Sequence, residues 1–286
     1  MPYTEQRPVN PGAVPIFEKK EHAMSKTQAI RAHTTLSHVQ LWLYTAWFQL
    51  LIRYRKTLLG PLWILVGPAL FISFLGLLYA QVGGVPKAVF IPHLTIGLIT
   101  WTLITGFVTT SPTVFQRAKA QILQSGMSLI DIVMGSVFST VIQFMHQIVL
   151  ILAIFIIFHK SVSLYALVSL IGLGILILNG VWLTVFFGIL GARYRDLTEI
   201  VQAIMRIAFL ATPIIWMPGS GGRGGVMGAF LVFNPFYHFL ELIRAPLMGE
   251  QIAPLSWAVV LSITVIGFAL AYFIHRRFAK NIPLWV

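Results

Sequence analysis

Ser136, Ser139, Thr140, Gln143, His146 and Gln147 recur at three- and four-residue steps inside an otherwise apolar run. That spacing places hydroxyls, amides and an imidazole on one face of a helix. Such a face either hydrogen-bonds a neighbouring helix or lines a wet path for a hydroxyl-rich cargo. The spacing alone leaves both open. Catalysis is harder to assemble from these residues. A membrane-embedded glycosyl or acyl transferase needs convergent carboxylates, histidines or metal ligands. The eight acidic residues are scattered, three of them in the first 36 residues and the rest at the ends and loops of apolar runs. Cys is absent, which removes thiolate metal sites and disulfides. No G-x-x-x-x-G-K-S/T stretch is present for binding ATP. Gly219, Gly221 and Gly224 fit G-x-G-x-x-G, but no strand precedes them, so a flexible loop is expected there.

The elements that must carry these residues are long and greasy. Six apolar runs cover 62–80, 94–110, 129–158, 164–190, 200–216 and 257–274. Each has the length an α-helix needs to cross ~30 Å of hydrocarbon at ~1.5 Å per residue. Hydrophobic residues make up 57% of the chain and charged residues 10%, where a soluble domain carries about a quarter charged. The fold class expected is an all-α integral membrane protein with six transmembrane helices. The polar segment 1–36 has no apolar signal core, so a weakly ordered cytoplasmic tail is expected rather than a cleaved secretory signal.

The net charge of +12 is a topology signal. With the N-terminus inside, the inside segments hold Arg31, Arg53, Arg55, Lys56, Arg117, Lys119, Arg193, Arg195, Arg276, Arg277 and Lys280. The outside segments hold Lys87, Lys160, Arg223 and Arg244. This is the positive-inside pattern, and it places both termini in the cytoplasm. A nucleic-acid partner is not expected; anionic membrane lipids are.

Local signals refine the map. Residues 37–60 hold an amphipathic aromatic stretch (Trp42, Tyr44, Trp47, Phe48) too short to span, read as a helix in the headgroup zone. Gly60–Pro61 turns the chain into the membrane domain, 61–280, and 281–286 form the C-terminus. Pro68 is expected to kink the first span. Thr95, Thr102, Thr105 and Thr109 with Gly97 and Gly106 read as close helix packing. Asp131 reads as a helix-start carboxylate, and Asp196 with Glu199 as a cap and its partner. Arg206, well inside an apolar run, is expected to snorkel or to pair with Glu199. Arg195 with Glu199, and Glu241 with Arg244, are further candidate pairs. Asn234–Pro235 should open a further helix, part of a short re-entrant or surface helix pair within 225–249.

Three stretches carry a resemblance. Residues 53–63 read RYRKTLLGPLW, residues 191–216 read GARYRDLTEIVQAIMRIAFLATPIIW, and residues 234–249 read NPFYHFLELIRAPLMG. In this order and spacing they resemble the permease subunit of polysaccharide-export ABC transporters, the type-2 exporters that move O-antigen, capsule or teichoic-acid chains. The resemblance extends over about 37–280. It implies a homodimer in the bacterial inner membrane, with a polymer channel along its axis and two ATP-binding cassette subunits on the cytoplasmic face. The permease then needs no cofactor of its own, because ATP and Mg²⁺ are bound by the partner. It further implies that 37–56 is an interface helix, 118–127 a coupling helix and 225–249 a set of extracytoplasmic gate helices. Arg53, Arg55, Arg117, Lys119 and Gln121 are the coupling candidates.

A lipid-linked polysaccharide slides best past aromatics and neutral hydrogen-bonding groups that offer many weak sites. Trp101, Phe107, Gln143, His146 and Trp216 are the candidates for that wall, with Phe233 and Tyr237 at the outer exit. The alternatives are a type-2 permease for a drug or lipid, an embedded transferase, and an ion-coupled transporter, which would want buried titratable groups at mid-membrane.

Overall fold

The computed structural model describes residues 37–82, 85–124, 127–217 and 231–286. The expected tail 1–36 and the glycine loop 219–225 lie outside the described residues. The chain divides into Met1–Leu41 and Trp42–Val286. Of the first unit, residues 37–41 are described and are helical. The packing set out below lies within the second.

Every regular element among the described residues is a helix. α1 covers 37–54, and a 3-10 turn at Gly60–Leu62 leads into α2, Trp63–Val82. α3 is Lys87–Thr110, followed by a 3-10 turn at Ser111–Thr113, α4 at Val114–Arg117 and α5 at Lys119–Gln124. Then come α6 (Leu129–Ile157), α7 (Val168–Arg193), α8 (Leu197–Ala211), α9 (Pro235–Met248), α10 (Pro254–Phe278) and α11 (Ile282–Trp285). The turn at Gly60–Pro61 forms as expected, with Gly60 at φ 55°. α2 runs through Pro68 as one helix.

Among the described residues, five helical stretches are long and apolar enough to cross a bilayer: Gly60–Tyr79, Lys87–Arg117, Leu129–Ile157, Leu164–Arg193 and Pro254–Trp285. The sixth run, 200–216, differs from the expected continuous span. α8 has 15 residues, about 22 Å of rise, and stops at Ala211. Thr212 precedes Pro213 and is extended, at φ −96° and ψ 137°, because the proline ring disfavours the helical conformation before it. Residues 212–217 continue without helix. The second run also differs: its helix begins at Lys87, seven residues before the apolar run at Leu94, with Pro86 as its N-cap.

α3 is the central helix. It contacts α2, α6, α7, α8 and α9, and 72% of its span is buried, against 17% for α2, α6 and α10. Its hydroxyls largely turn back on its own backbone, as in Thr95 Oγ1 to Ile91 O at 2.8 Å and Thr109 Oγ1 to Thr105 O at 2.7 Å. A threonine that satisfies itself in this way can sit in an apolar contact. α7 is the second hub, and small residues let its neighbours approach. A Cβ on Gly180 would stand 2.7 Å from the Phe107 ring, and one on Gly191 would overlap the Pro112 carbonyl. Segment 111–115 is therefore core: Ser111, Pro112, Val114 and Phe115 are all buried at this end of α7. Asn179 of α7 donates to Thr264 Oγ1 of α10 at 2.8 Å and accepts from Trp182 Nε1 at 2.6 Å.

One end of the bundle is basic. It gathers the start of α6, the end of α7 and the C-terminal α11. Ile282 of α11 is fully buried, and Arg193 lies 5.5 Å from the Trp285 ring, so 281–286 dock against the bundle. At the other end of α3, α9 is tied down. Asn234 caps it by accepting from Phe236 N at 3.0 Å, and its amide donates to Thr212 Oγ1 at 3.0 Å. Arg244, 4% exposed, donates to Pro213 O at 2.6 Å and to His93 Nε2 at 3.1 Å, and pairs with Glu241 at 2.5 Å. One guanidinium thus joins α9, α3 and the bent segment after α8. The expected Glu241–Arg244 pair is present. The expected pairs of Glu199 with Arg206 and with Arg195 are absent among the described residues, and Asp196 makes no side-chain cap.

Two outcomes test this packing. Gly180→Ala should cost about 1–3 kcal/mol by overpacking, and Phe107→Leu in the same chain should recover part of it in thermal melts of the detergent-solubilised protein. Strict additivity of the two would contradict the contact. Arg244→Ala should lower stability by roughly 3 kcal/mol, since it strips Glu241 and the Pro213 carbonyl of their partner. A melting point equal to that of the parent chain would show that the clamp carries no weight.

Candidate functional site

Residues 101, 105 and 109 of α3 are four apart and share a face. Residues 202, 206 and 209 of α8, four and three apart, also share a face. Where the two faces meet, a groove of about 620 Å³ opens, lined by Trp101, Thr105, Thr109, Gln202, Arg206 and Phe209 among others. Aromatics close one end: Trp101 lies 5.8 Å from Phe209 and 5.3 Å from Phe236, and Phe71 of α2 lies 6.2 Å from Phe209. Along the wall stand the neutral hydrogen bonders Thr105, Thr109 and Gln202, with the Arg206 guanidinium among them. The Thr105 hydroxyl is buried and makes no hydrogen bond within the described residues. Arg117 stands at the groove's other end. The wall is therefore aromatic and hydroxylic, with guanidinium groups and no carboxylate.

A second cavity, about 330 Å³, lies at the basic end between α1, the α4–α5 segment and α6. Gln49 and Arg53 come from α1, Arg117 and Gln121 from α4 and α5, and Asp131 and Ser136 from α6. α1 lies along α6: Trp42 Nε1 donates to Asp131 Oδ1 at 2.8 Å, Trp47 stacks on His146 at 6.4 Å, and Arg53 Nη1 donates to Gln143 Oε1 at 2.8 Å. Asp131 thus sits in the first turn of α6, as expected, and holds an indole besides. The other side of α1 exposes Tyr44, Phe48 and Leu51, an apolar surface suited to lipid.

The candidates named from sequence are dispersed by the fold. Of the wall candidates, Trp101 alone lines the groove, and it is 6% exposed, so it offers an edge. Phe107 is 1% exposed and packed on Gly180, with no open surface. Gln143 and His146 face α1, and Gln147 meets Thr102 Oγ1 at 2.5 Å, so the polar face of α6 is spent on helix contacts. Trp216 is half-buried beside the α9 clamp, its carbonyl 3.3 Å from His93 Nε2. Phe233 is 85% exposed just before α9, and Tyr237 packs on His238 at 5.3 Å. Among the coupling candidates, Arg53, Arg117 and Gln121 meet in the basic cavity. Lys119 is exposed on α5, and Arg55 lines a shallow depression with Phe48, Tyr54 and Pro61.

Gln202 and Phe209 of the groove and His93 of the clamp escaped sequence reasoning. The first two sit in a run that reads as uniformly apolar until α8 is recognised as amphipathic, with Ile200, Ile204, Ile207 and Leu210 on its exposed stripe. A lone histidine near the start of an apolar run was the signal for the third.

No curated protein matches the chain. Residues 40–248 match the family model described as ABC-2 type transporter. Proteins of that family generally work with ATP-binding subunits and as dimers. The chain belongs to the ABC-2 type transporter family and is a multi-pass membrane subunit of an ABC transporter.

Proposed function

We propose that this permease exports a lipid-linked polysaccharide, of the O-antigen or capsule kind, across the bacterial inner membrane as one half of a homodimer. The observation that carries the reading is the groove between α3 and α8, where the Trp101 and Phe209 rings sit beside the Thr105, Thr109 and Gln202 side chains. A sugar ring has apolar C–H faces and a rim of hydroxyls. Aromatic faces take the first and neutral polar groups take the second. No carboxylate lines the groove to hold a glycan fast. Many weak contacts let a chain enter and leave. The same groove on a second copy would complete the wall. Phe233 and Tyr237, at the α9 end, would flank the exit.

The push comes from two separate ATP-binding cassette subunits, which bind ATP and Mg²⁺ and dock at the basic end. That end faces the cytoplasm by the distribution of Lys and Arg. Arg53, Arg117 and Gln121 around the basic cavity, with Arg55 and Lys119 on the surface beside it, receive the stroke. Arg117 lines both cavities and so links the docking face to the cargo path.

Three outcomes follow for proteoliposomes. The purified chain alone should hydrolyse no ATP; turnover by a clean preparation would refute the division of labour. Trp101→Ala should lower glycan export by about tenfold while leaving co-purification of the ATP-binding subunit unchanged. Unaltered export would remove the groove from the pathway, and export of a lipid or drug with no glycan moved would replace the substrate class. Lys119→Glu with Arg55→Glu should reverse the pattern, weakening ATPase co-purification with the permease still dimeric.

A further inference from the structure

α5 is a helix of six residues, too short to hold itself together in water. Ile122 is its single side chain that is not exposed, so packing from outside must fix it. The adjoining α4 is tied to the end of α7, where Gln116 Nε2 donates to Gly191 O at 2.9 Å. Beyond α4, α5 packs against α11, the one-turn helix Ile282–Trp285, and α11 packs in turn against α7. Ile282 is the fully buried anchor of that turn. Trp285 is gripped from two elements. Its ring lies 5.9 Å from the Phe278 ring at the end of α10, and 5.5 Å from the Arg193 guanidinium at the end of α7. Arg193 also lies 5.3 Å from the Tyr194 ring. At these distances a guanidinium is attracted to both ring faces, which fixes the turn that leads into α8 at Leu197. α11 thus touches the short helix at the docking face and the residue from which the groove helix departs. Leu284, on the same turn, faces away from this packing and is 83% exposed.

We propose that α11 is a brace that ties the docking segment to the cargo groove. Ile282 and Trp285 are its positioning residues: Ile282 anchors α11 to the bundle, and Trp285, through Arg193, sets the turn from which α8 starts. A displacement of α5 then carries the beginning of α8 with it. Without the brace, α5 yields alone. The proposal rests on the reading that ATP-binding subunits push at the basic end, and it names the element that carries the push onward.

The test uses the full chain carrying Gln202→Cys, in complex with its ATP-binding subunit in proteoliposomes. The groove cysteine is labelled with a membrane-impermeant maleimide and read on the permease band. Spatial continuity is not coupling, so the readout is the response of the groove to the motor rather than stability. Trapping with ATP and vanadate should change the labelling rate of the parent chain by about fivefold or more. Ile282→Ala and Trp285→Leu should each bring that change below about twofold. Dimer size, co-purification of the ATP-binding subunit and the labelling rate without ATP should stay as in the parent. Ile282→Val should keep most of the response, and Leu284→Ala should respond as the parent does. A full response in Ile282→Ala and Trp285→Leu would overturn the brace, and Trp285→Leu alone decides the matter if the alanine variant does not assemble. Loss of the response in Leu284→Ala would overturn it as well, because the outward side of the turn would then carry the signal by touching the motor. A parent chain whose groove does not respond at all would instead overturn the transport reading underneath, and the brace with it.

Discussion

The constraint on which this molecule depends is that hydrocarbon offers no hydrogen-bond partner. Every polar group at membrane depth must be answered by the chain itself or by a wet space. α3 meets the demand by folding its threonine hydroxyls onto its own carbonyls, so that a polar sequence packs as though it were apolar. α7 meets it with Asn179, whose amide is held by Ile175 O, Thr264 and Trp182. α9 meets it with Arg244, which answers one carbonyl, one imidazole and one carboxylate. Two buried hydroxyls of α3, those of Thr100 and Thr105, are left without a partner among the described residues, and Thr105 lies on the groove between α3 and α8.

The architecture places this groove between two anchored ends. At the basic end, α1, α4, α5, α6 and α11 converge around docking residues. At the far end, the α9 clamp holds the bent segment after α8 against α3. α8 is short and amphipathic, with its apolar stripe outward and Gln202, Arg206 and Phe209 on the groove, Arg206 exposed there. A movement of the basic end would therefore reach the groove through Arg117 and through the start of α8, which follows directly on the basic turn Arg193–Asp196.

Much of this was legible in the residues. Apolar run length found the five long helices, Gly60–Pro61 marked the turn into the first of them, and Asn234–Pro235 marked the capped start of α9. The positive charges found the end that the structure collects. The failures share a cause. Run length cannot see that Pro213 forbids a helical Thr212, so 200–216 read as one span. A polar face cannot say which neighbour it meets, so Gln143 and His146 read as a conduit wall when α1 lies across them. Phe107 read as a wall aromatic because the sequence does not show that Gly180 stands opposite to receive its ring. Arg206 and Glu199 sit two turns apart on α8, near enough on paper to pair, yet the structure points the arginine into the groove.

The chain contains no cysteine, so single cysteines report without background. The most direct test of the account is the labelling of Gln202→Cys and Thr109→Cys by a charged, membrane-impermeant maleimide added from the basic side. Leu152→Cys, on the exposed outer face of α6, serves as the lipid-facing reference. The account predicts rapid labelling of the two groove positions and a silent Leu152 position. A groove as silent as the lipid face would mean that α3 and α8 enclose no aqueous path.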